Sequence, residues 1–559
     1  MKTAADMFDY VIVGAGAAGC VLANRLASDG QHSVCLLEAG PPDKSLVLKV
    51  PAGVYKASAD PQFAWQFATE PSAGTAGRPI PMPQGRTLGG STSINGMNYN
   101  RGCPADFDGW AQLGNRGWQY ADVLPYFKRS ERRIGTLDPL YRGTGGPLTI
   151  TDTDWRHPVC DAFILGVRNL GLPLNPDYNA ASQLGVGYYQ RYIHKGWRVS
   201  ASRAFLRPVM GRKNLDIRTN AQATMLLLEC GRAVGLSYVA GPGQAARSVL
   251  ARREVILAAG AINTPKLLQI SGIGPAALLK DRGIDVAHHL PGVGANLQDH
   301  YMIHLVQRVK GSETINGRGL ALIKEGTKWL LGRPNLLAIS PSLVYAFANS
   351  RDLRSAPDIQ LDLALGNYSS PGSGRIPVIK LGFYQLRPNS TGFVHAQSAD
   401  PFQAPTIQPN YLDDEADQLV AVAGIRKLRR MLNTSELHPY NDGEELPGPS
   451  ATDDASCLAF AREAGLTAYH VSGTCRMGPS ADPRAVVDHE LRVHGLDGLR
   501  VVDASIMPFV PSANTSAAVF MIAEKAADMI LGRALLPAQE LRKSEVKRSG
   551  TLVGVEPAE

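Results

Sequence analysis

The chain has 559 residues, of which 44% are hydrophobic and 19% are charged, and its formal net charge is +7. This length exceeds one hydrophobic core, so it predicts two domains or one interleaved body that is large enough to enclose a cofactor. No basic run alternates with aromatic residues and no apolar stretch is long enough to cross a bilayer, which argues against nucleic acid as a partner and against a membrane-spanning protein.

The seven cysteines indicate the compartment. They are odd in number, scattered, and never in a C-x-x-C spacing, so neither a disulfide framework nor a metal site is predicted. Residues 1–7 are short and polar, which predicts no signal peptide. We therefore expect a cytoplasmic protein without a bound metal. Contact with a membrane surface stays open, because a short amphipathic helix leaves little trace in a sequence.

The first predicted elements are a strand, a glycine-rich turn and a helix. Residues 8–13 form a short apolar strand, and residues 17–28 have the small, helix-favouring composition of the next element. Between them, Gly14 permits a tight turn, Gly16 lets a pyrophosphate approach the backbone, and Gly19 lets the helix pack closely. In this context the turn predicts a dinucleotide site whose phosphates meet the N-terminus of the helix.

A second strand, residues 33–37, ends at Glu38. A carboxylate at this distance from the glycines is expected to accept hydrogen bonds from ribose hydroxyls. An acidic residue favours an unphosphorylated ribose, so FAD or NAD is predicted rather than NADP.

The rest of the chain predicts further strands, helices and loops in separate segments. Residues 40–102 are rich in proline and glycine, and their length predicts a loop that wraps a cofactor. Further predictions are mixed helix and loop at 120–212, a meander of strands at 214–249, a buried strand at 254–259 followed by a helix, strands at 378–386 and 392–396, a helix at 413–432, a strand at 499–502, a helix at 515–531, and a mobile tail after 536.

Four blocks of residues then follow one another in order. They are 85–95 continued by Tyr99, Gly102 and Asp108; 260–274; 291–300; and 502–508. With these blocks the chain resembles the glucose–methanol–choline (GMC) oxidoreductases over nearly its whole length, and bacterial choline and alkanol dehydrogenases most of all.

The resemblance implies an α/β fold in which a Rossmann-like, doubly wound FAD-binding domain is interleaved with an α+β substrate domain built on an antiparallel sheet. The expected FAD-binding parts are 1–155 with the cofactor loop, 215–315 and 481–535. The expected substrate parts are 156–214 and 316–480, and 536–559 is the tail.

The resemblance also implies which residues hold the cofactor. The expected FAD-binding residues are Gly14, Gly16, Ala17, Ala18, Gly19, Glu38, Ala39, Gly85, Leu88, Gly89, Gly90, Ser91, Asn95, Gly96, Met97, Asn98, Ala223, Ala259, Gly260, Asp503, Ala504, Asn514 and Thr515. In some relatives the residue before the one matching Asn95 is a histidine bonded covalently to the flavin. Here it is Ile94, so we expect non-covalent, dissociable FAD.

The segment at residues 469–474 and the distant Asn514 carry the predicted chemistry. Oxidising an alcohol needs a base near the hydroxyl proton and a polar group that holds the oxygen, which a histidine and an amide suit. The resemblance implies these roles for His470 and Asn514, with hydride passing to flavin N5. Asn514 also fits the N-cap of the last helix, and the two roles are compatible. We expect His300 to be a structural hydrogen-bonding residue.

The predicted reaction is oxidation of a small or medium primary alcohol to the aldehyde, with dioxygen or a quinone as acceptor. The same fold supports hydroxynitrile cleavage, light-driven decarboxylation of a fatty acid, or a flavoprotein that has lost catalysis, and the fold alone does not separate these. Asn98 and Asn100 depart from the apolar residues usual in the family, so they can add polar contacts near the flavin. Arg387 fits either a carboxylate-binding residue or a structural ion-pair partner.

Overall fold

A computed structural model of the chain describes residues 6–241, 243–312, 320–351, 356–366 and 377–541. Within these ranges, the α-helices are Ala17–Ala27, Leu46–Lys49, Val54–Ala59, Pro104–Gln112, Tyr120–Ser130, Pro158–Asn169, Gly260–Ile270, Ala276–Asp281, Leu320–Leu330, Glu415–Leu432, Asp454–Ala464 and Ser516–Ile530. None of the helices in the described ranges is long and apolar enough to cross a membrane.

The first sheet is mainly parallel and includes the first and the last strand of the described residues. Its strands run in the order Leu215–Arg218, Val34–Leu37, Asp6–Val13, Arg247–Leu257, Arg232–Val239 and Gln222–Glu229, and Leu499–Val501 also pairs with Arg247–Leu257. The last two strands of that order form an antiparallel hairpin, whereas the others are parallel. The middle strands are apolar and buried on both faces, because helices cover both sides of a parallel sheet.

The parallel strands of the first sheet end at one edge. Val13, Leu37, Leu257 and Val501 close their strands in register. The glycine turn, Glu38, and the segments after residues 257 and 501 therefore meet at the carboxyl edge of the sheet, where open α/β sheets bind their ligands.

The second sheet is antiparallel. Its strands run in the order Asn441–Leu446, Tyr301–Val309, Val378–Gln385, Ile359–Leu365, Val344–Ala348 and Gly185–Tyr188, and Leu466–Thr467 also pairs with Tyr301–Val309. The helices Pro158–Asn169 and Glu415–Leu432 pack on one face of this sheet and share its apolar core. From its other face, His304, Asp362 and Lys380 line the same cavity as the carboxyl edge of the first sheet.

Shorter pairings complete the fold. They join Ala64–Ala68 with Pro81–Gly85; Glu131–Ile134 with Leu148–Asp152 and Gln190–Arg191; Ala295–Leu297 with Gly392–His395 and Thr406–Gln408; Ile193–His194 with Trp197–Arg198; and Ile273–Gly274 with His288–His289.

Several predicted elements differ from the structure. Residues 40–102 are not one irregular loop, because they contain two short helices and the hairpin of Ala64–Ala68 with Pro81–Gly85. The strand predicted at 254–259 begins at Arg247, since its first half pairs with the adjacent hairpin. The prediction of mixed helix and loop at 120–212 misses the strands between residues 131 and 198. Each of these strands is short and lacks a clear alternation of polar and apolar residues.

One predicted domain boundary is also displaced. The segment 215–315 was assigned to the FAD-binding part, but Tyr301–Val309 pairs in the second sheet between Val378–Gln385 and Asn441–Leu446. The chain therefore passes from the first sheet to the second before residue 301. Most of the predicted tail, residues 542–559, lies outside the described residues.

Candidate active site

A cavity of ≈ 270 Å³ lies beside the cofactor loop, and a larger one of ≈ 510 Å³ lies between the two sheets. The predicted site residues that line the larger cavity are Gly14, Gly16, Ala17, Ala18, Glu38, Ala39, Gly85, Gly90, Ser91, Asn95, Gly96, Met97, Asn98, Ala223, Ala259, Gly260, His470, Asp503, Ala504, Asn514 and Thr515. The structure thus brings together residues from six separate parts of the sequence.

Three residues predicted to bind the cofactor lie behind this lining. A Cβ on Gly19 would stand 1.9 Å from the carbonyl oxygen of Gly14, so Gly19 lets the helix pack against the turn. Leu88 belongs to the hydrophobic core. The Gly89 N–H donates to the Ala15 carbonyl at 2.7 Å. These residues shape the cavity without facing it.

The glycine turn leaves room for a ligand. Gly14 has a φ of +97°, which favours glycine, and its N–H donates to the Leu37 carbonyl at 2.8 Å. An added Cβ on Gly16 would have its nearest neighbour 3.9 Å away, so the backbone there is open to the cavity. The helix Ala17–Ala27 has no side-chain cap at its N-terminus, which leaves N–H groups and the positive end of the helix dipole for an anion.

Glu38 is tied to the turn by both carboxylate oxygens. Oε2 accepts from the Ala15 N–H and Oε1 accepts from the Gly40 N–H, each at 2.9 Å. Burial raises the pKa of Glu38 to about 7, against the lowering effect of these hydrogen bonds. Glu38 therefore fixes the end of its strand beside the turn while its carboxylate lines the cavity.

The second wall of this region is the loop that contains Gly85–Met97. Here Gly90 crosses the glycine turn so closely that an added Cβ would stand 2.7 Å from the Gly16 Cα. Asn95 is held by buried Arg198, whose Nη1 donates to the Asn95 carbonyl at 2.7 Å and to its Oδ1 at 2.9 Å. Ile94 is buried in a small apolar cluster, so no nucleophile stands at its position.

Asp503 joins the last strand of the first sheet to the helix Gly260–Ile270. Its Oδ2 accepts from the Gly260 N–H at 2.8 Å and from the Thr264 hydroxyl at 2.6 Å. Gly260 has a φ of +84°, and an added Cβ would meet no atom within 4 Å, so this helix start is also open to the cavity.

His470 and Asn514 meet directly at the far end of the cavity. The Nδ2 of Asn514 lies 2.9 Å from the Nε2 of His470. Asn514 does not cap the last helix, which begins at Ser516 after an N-cap residue, Thr515, that makes no capping bond. The Oδ1 of Asn514 is buried without a partner among the described residues. The pair therefore faces the cavity with one amide oxygen unsatisfied.

A second histidine fixes which nitrogen of His470 carries a proton. The Nδ1 of His470 lies 2.9 Å from the Nδ1 of His300, and the Nε2 of His300 lies 3.1 Å from the Leu386 carbonyl. A carbonyl only accepts, so His300 Nε2 is the donor and its Nδ1, in the neutral ring, is the acceptor. His470 then donates through Nδ1, and its Nε2 is left with a lone pair directed at Asn514.

Both histidines are neutral in this arrangement. Burial lowers the pKa of His300 to about 4. Burial, followed by the nearby His300, holds the pKa of His470 well below its usual value of 6.5. An unprotonated imidazole is the form that acts as a base.

Asp299 positions both rings through the backbone. Its Oδ1 accepts from the His300 N–H at 2.9 Å and from the His470 N–H at 2.7 Å, and its Oδ2 accepts from the hydroxyls of Tyr411 and Thr467. Burial raises the pKa of Asp299 to about 6. Sequence reasoning missed Asp299 and the contact of His300 with His470, although Asp299 and His300 both lie in the block 291–300.

The polar residues whose roles were open lie in different places. Asn98 lines the cavity, and its Oδ1 is buried without a partner among the described residues. Asn100 is buried behind it and donates to Gln360 at 2.9 Å. Arg387 contacts the Asp106 carboxylate at 3.8 Å and donates to the Pro357 carbonyl at 3.1 Å, away from the cavity. It is therefore a structural ion-pair partner.

The second sheet closes the cavity with charged side chains. The residues that it contributes include His304, Asp362 and Lys380. Burial raises the pKa of Asp362 to about 6 and lowers the pKa of Lys380 to about 8. The Oδ1 of Asp362 accepts from the Tyr189 hydroxyl. Beside this wall, the apolar ring of Trp65 and the side chains of Val54 and Leu466 also line the cavity.

The chain matches two models of one family and shares most of its length with characterised proteins. The N-terminal and C-terminal models of the GMC oxidoreductases match residues 8–302 and 388–523. The oxygen-dependent choline dehydrogenase of Photobacterium profundum is 40% identical over 94% of this chain and 93% of that protein. The alcohol dehydrogenase [acceptor] of Pseudomonas putida is 40% identical over 94% of this chain and 96% of that protein.

A solved structure has the same fold. The crystal structure of pyridoxine 4-oxidase from Mesorbium loti superposes with a TM-score of 0.84 and 32% sequence identity, covering 94% of this chain and 99% of that one.

Proposed function

The chain belongs to the GMC oxidoreductase family, and from this premise we propose that His470 and Asn514 carry out the oxidation of a primary alcohol to its aldehyde. The enzyme is an FAD-dependent oxidoreductase that acts on CH–OH donors. The observation that supports the proposed roles is the hydrogen-bond chain from the Leu386 carbonyl through His300 to His470, because it leaves a lone pair on Nε2 beside an amide donor.

The residues of the cavity fit FAD, which binds without a covalent link. The open backbone at Gly16 and Gly260, together with the uncapped helix start at Ala17, suits a pyrophosphate. Glu38 stands where the ribose hydroxyls of the adenosine half are expected. The loop of Gly90, Asn95 and Met97 lines the same cavity as His470, and the flavin ring would be held there.

The chain's own residues would handle the proton. The alcohol would replace the Asn514 amide at His470 Nε2. Its O–H then donates to that lone pair, and its oxygen accepts a hydrogen bond from Asn514 Nδ2. As the C–H bond of the carbinol carbon breaks, the hydroxyl proton moves to Nε2 and the carbonyl forms. FAD, when bound, would supply N5 of its ring as the acceptor of the hydride from that carbon. Asn514 stabilises the negative charge that develops on the oxygen, while Asp299 keeps both imidazole rings in place.

The electron acceptor and the location complete the proposal. We propose dioxygen or a quinone as the acceptor, which is consistent with relatives named as an oxygen-dependent dehydrogenase and as a dehydrogenase with an unspecified acceptor. We also propose a cytoplasmic location with contact to a membrane surface. Seven free cysteines support a reducing compartment.

The reaction is tested by mixing the purified yellow protein with alcohols in the absence of oxygen and in the dark. The panel contains aliphatic, aromatic, furanic and quaternary-ammonium alcohols. We expect at least one to bleach the flavin absorbance, and readmitted air then separates an oxidase, which recovers quickly, from a dehydrogenase, which recovers slowly. A flavin that no alcohol bleaches contradicts alcohol oxidation, and illumination with fatty acids then tests the photochemical alternative.

A further inference from the structure

The cavity beside the cofactor loop is rich in cationic side chains. It measures ≈ 270 Å³ and is lined by Asp43, Leu48, Lys49, Ser93, Trp197, Arg198, Ser200, Arg203 and Arg207. The single carboxylate of this lining, Asp43, is paired with Arg207 at 3.0 Å. Lys49, Arg198 and Arg203 therefore bring three positive charges to this basic cavity, and its lining offers them no further anion.

Arg198 has one part of its guanidinium occupied and one edge open. Its Nη1 donates to the Asn95 carbonyl at 2.7 Å and to the Asn95 Oδ1 at 2.9 Å. Its Nε and Nη2 have no partner among the described residues, although Arg198 is only 2% exposed. Burial without a nearby anion lowers the pKa of Arg198 to about 9. Buried donors without partners cost free energy, so an acceptor at this edge would stabilise the protein.

The open edge is the one with which other arginines of this protein hold a carboxylate. Arg25 donates through Nε and Nη2 to the two carboxylate oxygens of Glu524, at 2.9 and 2.7 Å. Arg500 holds Glu254 through the same two nitrogens, at 2.7 and 3.1 Å. Two parallel N–H groups match two oxygens of one carboxylate or phosphate group. Arg198 thus lacks an oxyanion at the edge where these two arginines have one.

The neighbouring cations favour a doubly charged anion. The Nη1 of Arg203 donates to the Arg198 carbonyl at 3.2 Å, and burial, followed by the nearby Arg207, lowers the pKa of Arg203. Lys49 is half-buried and has no ion pair or hydrogen bond with the residues that the structure describes. A phosphate monoester carries a charge of about −1.5 to −2 near neutral pH and three acceptor oxygens. It therefore offsets more of this positive charge than a carboxylate does.

The basic cavity has room for more than a phosphate group. About 10–15 Å³ of such volume holds one water molecule, so the whole cavity exceeds a phosphate group in size. The side chains of Leu48 and Trp197 also line it. Trp197 packs edge-on against Trp329, with ring centroids 4.5 Å apart. An apolar wall beside the cations suits the organic part of a phosphate ester.

We infer that the basic cavity binds a small, soluble phosphate monoester. The phosphate oxygens accept from Nε and Nη2 of Arg198 and from the side chains of Arg203 and Lys49, and the organic part lies against Trp197. This site is separate from the proposed reaction, because the basic cavity shares no lining residue with the cavity that contains His470. The bound phosphate completes the hydrogen bonding of the guanidinium that supports the cofactor loop.

The inference is tested with the FAD-loaded full chain in the absence of any alcohol, so the result does not depend on the proposed reaction. Phenyl phosphate is the probe, because it is a phosphate monoester without a hydroxyl group that the enzyme could oxidise. We expect saturable binding by titration calorimetry and a melting temperature that rises with its concentration. Sodium chloride at the same ionic strength should not reproduce this rise. Absence of saturable binding overturns the inference.

Variants locate the bound phosphate. Lys49→Gln with Arg203→Gln should raise the dissociation constant of phenyl phosphate at least about tenfold, because each change removes a charged hydrogen-bond donor. Arg198→Lys keeps the charge but loses the paired N–H groups, so it should weaken binding about tenfold. The matched control, Lys280→Gln with Arg430→Gln, changes two exposed cations elsewhere and should leave the constant unchanged. Flavin absorbance reports whether each variant stays loaded, and if Arg198→Lys loses FAD, the double variant decides.

Three other results would contradict the inference. Binding that the double variant leaves unchanged would place the phosphate in another cavity. Benzoate that binds as tightly as phenyl phosphate would make this a carboxylate site. If vesicles that contain phosphatidic acid raise the melting temperature while phenyl phosphate does not, the ligand is a lipid headgroup and not a soluble ester.

Discussion

At the scale of single residues, the proposed chemistry depends on His470. Replacing it with Gln removes the base but leaves the FAD-lining backbone intact, so we expect normal FAD content and flavin reduction about 10²–10⁴-fold slower. The rate is measured by mixing enzyme and alcohol without oxygen and following the flavin absorbance. His438→Gln, a change of an exposed histidine, is the control. Reduction of the His470 variant at the wild-type rate would place the base elsewhere.

The buried histidine pair also sets the dependence of the rate on pH. Burial and His300 lower the pKa of His470, so its neutral, proton-accepting form persists as the solution becomes more acidic. We therefore expect the acid limb of the flavin-reduction rate to lie below pH 6.5, the usual value for histidine. Reduction rates at saturating alcohol, measured from neutral to acidic pH, check this. A limb at or above 6.5 would mean that the base is not a buried histidine.

At the scale of elements, the sequence predicts the strand, glycine turn and helix at the N-terminus. Each glycine there meets a steric requirement of the backbone that a larger residue would not meet. The structure has these elements at Asp6–Val13 and Ala17–Ala27. The contact of His300 with His470 was not predictable in the same way, since it joins residues 170 positions apart. The pairing of residue 298 with residue 472 and of Tyr301 with Thr467 brings these rings together across two distant segments.

The close packing of the first helix makes Gly19 a test of the cofactor cradle. An added Cβ would stand 1.9 Å from the Gly14 carbonyl oxygen, so Gly19→Ala must displace either the turn or the helix. We expect the purified variant to retain much less FAD, with an affinity at least about tenfold weaker. The control Gly211→Ala adds the same methyl group where no atom lies within 4 Å. An undiminished FAD content in the Gly19 variant would contradict the proposed role of the turn.

At the scale of the whole molecule, the cavity is walled by both sheets, and its predicted site residues come from six parts of the chain that a bound FAD would join. Ligand that binds only the folded protein stabilises it, by about 2.7 kcal/mol at a hundred times its dissociation constant. We therefore expect removal of FAD to lower the melting temperature and its readdition to restore it. Scanning calorimetry or fluorescence measures both. An apoprotein as stable as the holoenzyme would mean that the cofactor does not bridge the two sheets.

Precipitation of the protein tests how FAD is attached. Because Ile94 offers no nucleophile, FAD should appear in the supernatant after the chain is precipitated with acid. Flavin that remains with the precipitate would contradict non-covalent binding.

The overall architecture of a mainly parallel sheet beside an antiparallel one followed from the resemblance. The passage between the sheets before residue 301 did not, because it depends on the pairing of Tyr301–Val309 with strands far along the chain, Val378–Gln385 and Asn441–Leu446.

The hydrogen-bond chain behind His470 has a further consequence for turnover. It ends at the Leu386 carbonyl, which has no proton to give and cannot take one away, and both histidines on the way are enclosed by protein. A proton collected by His470 therefore has no inward route to solvent. It must leave on the side from which it came, after the aldehyde has made way for water or for an acceptor that needs the proton. In the proposed reaction, the base therefore loses its proton in the same step in which the pocket is emptied.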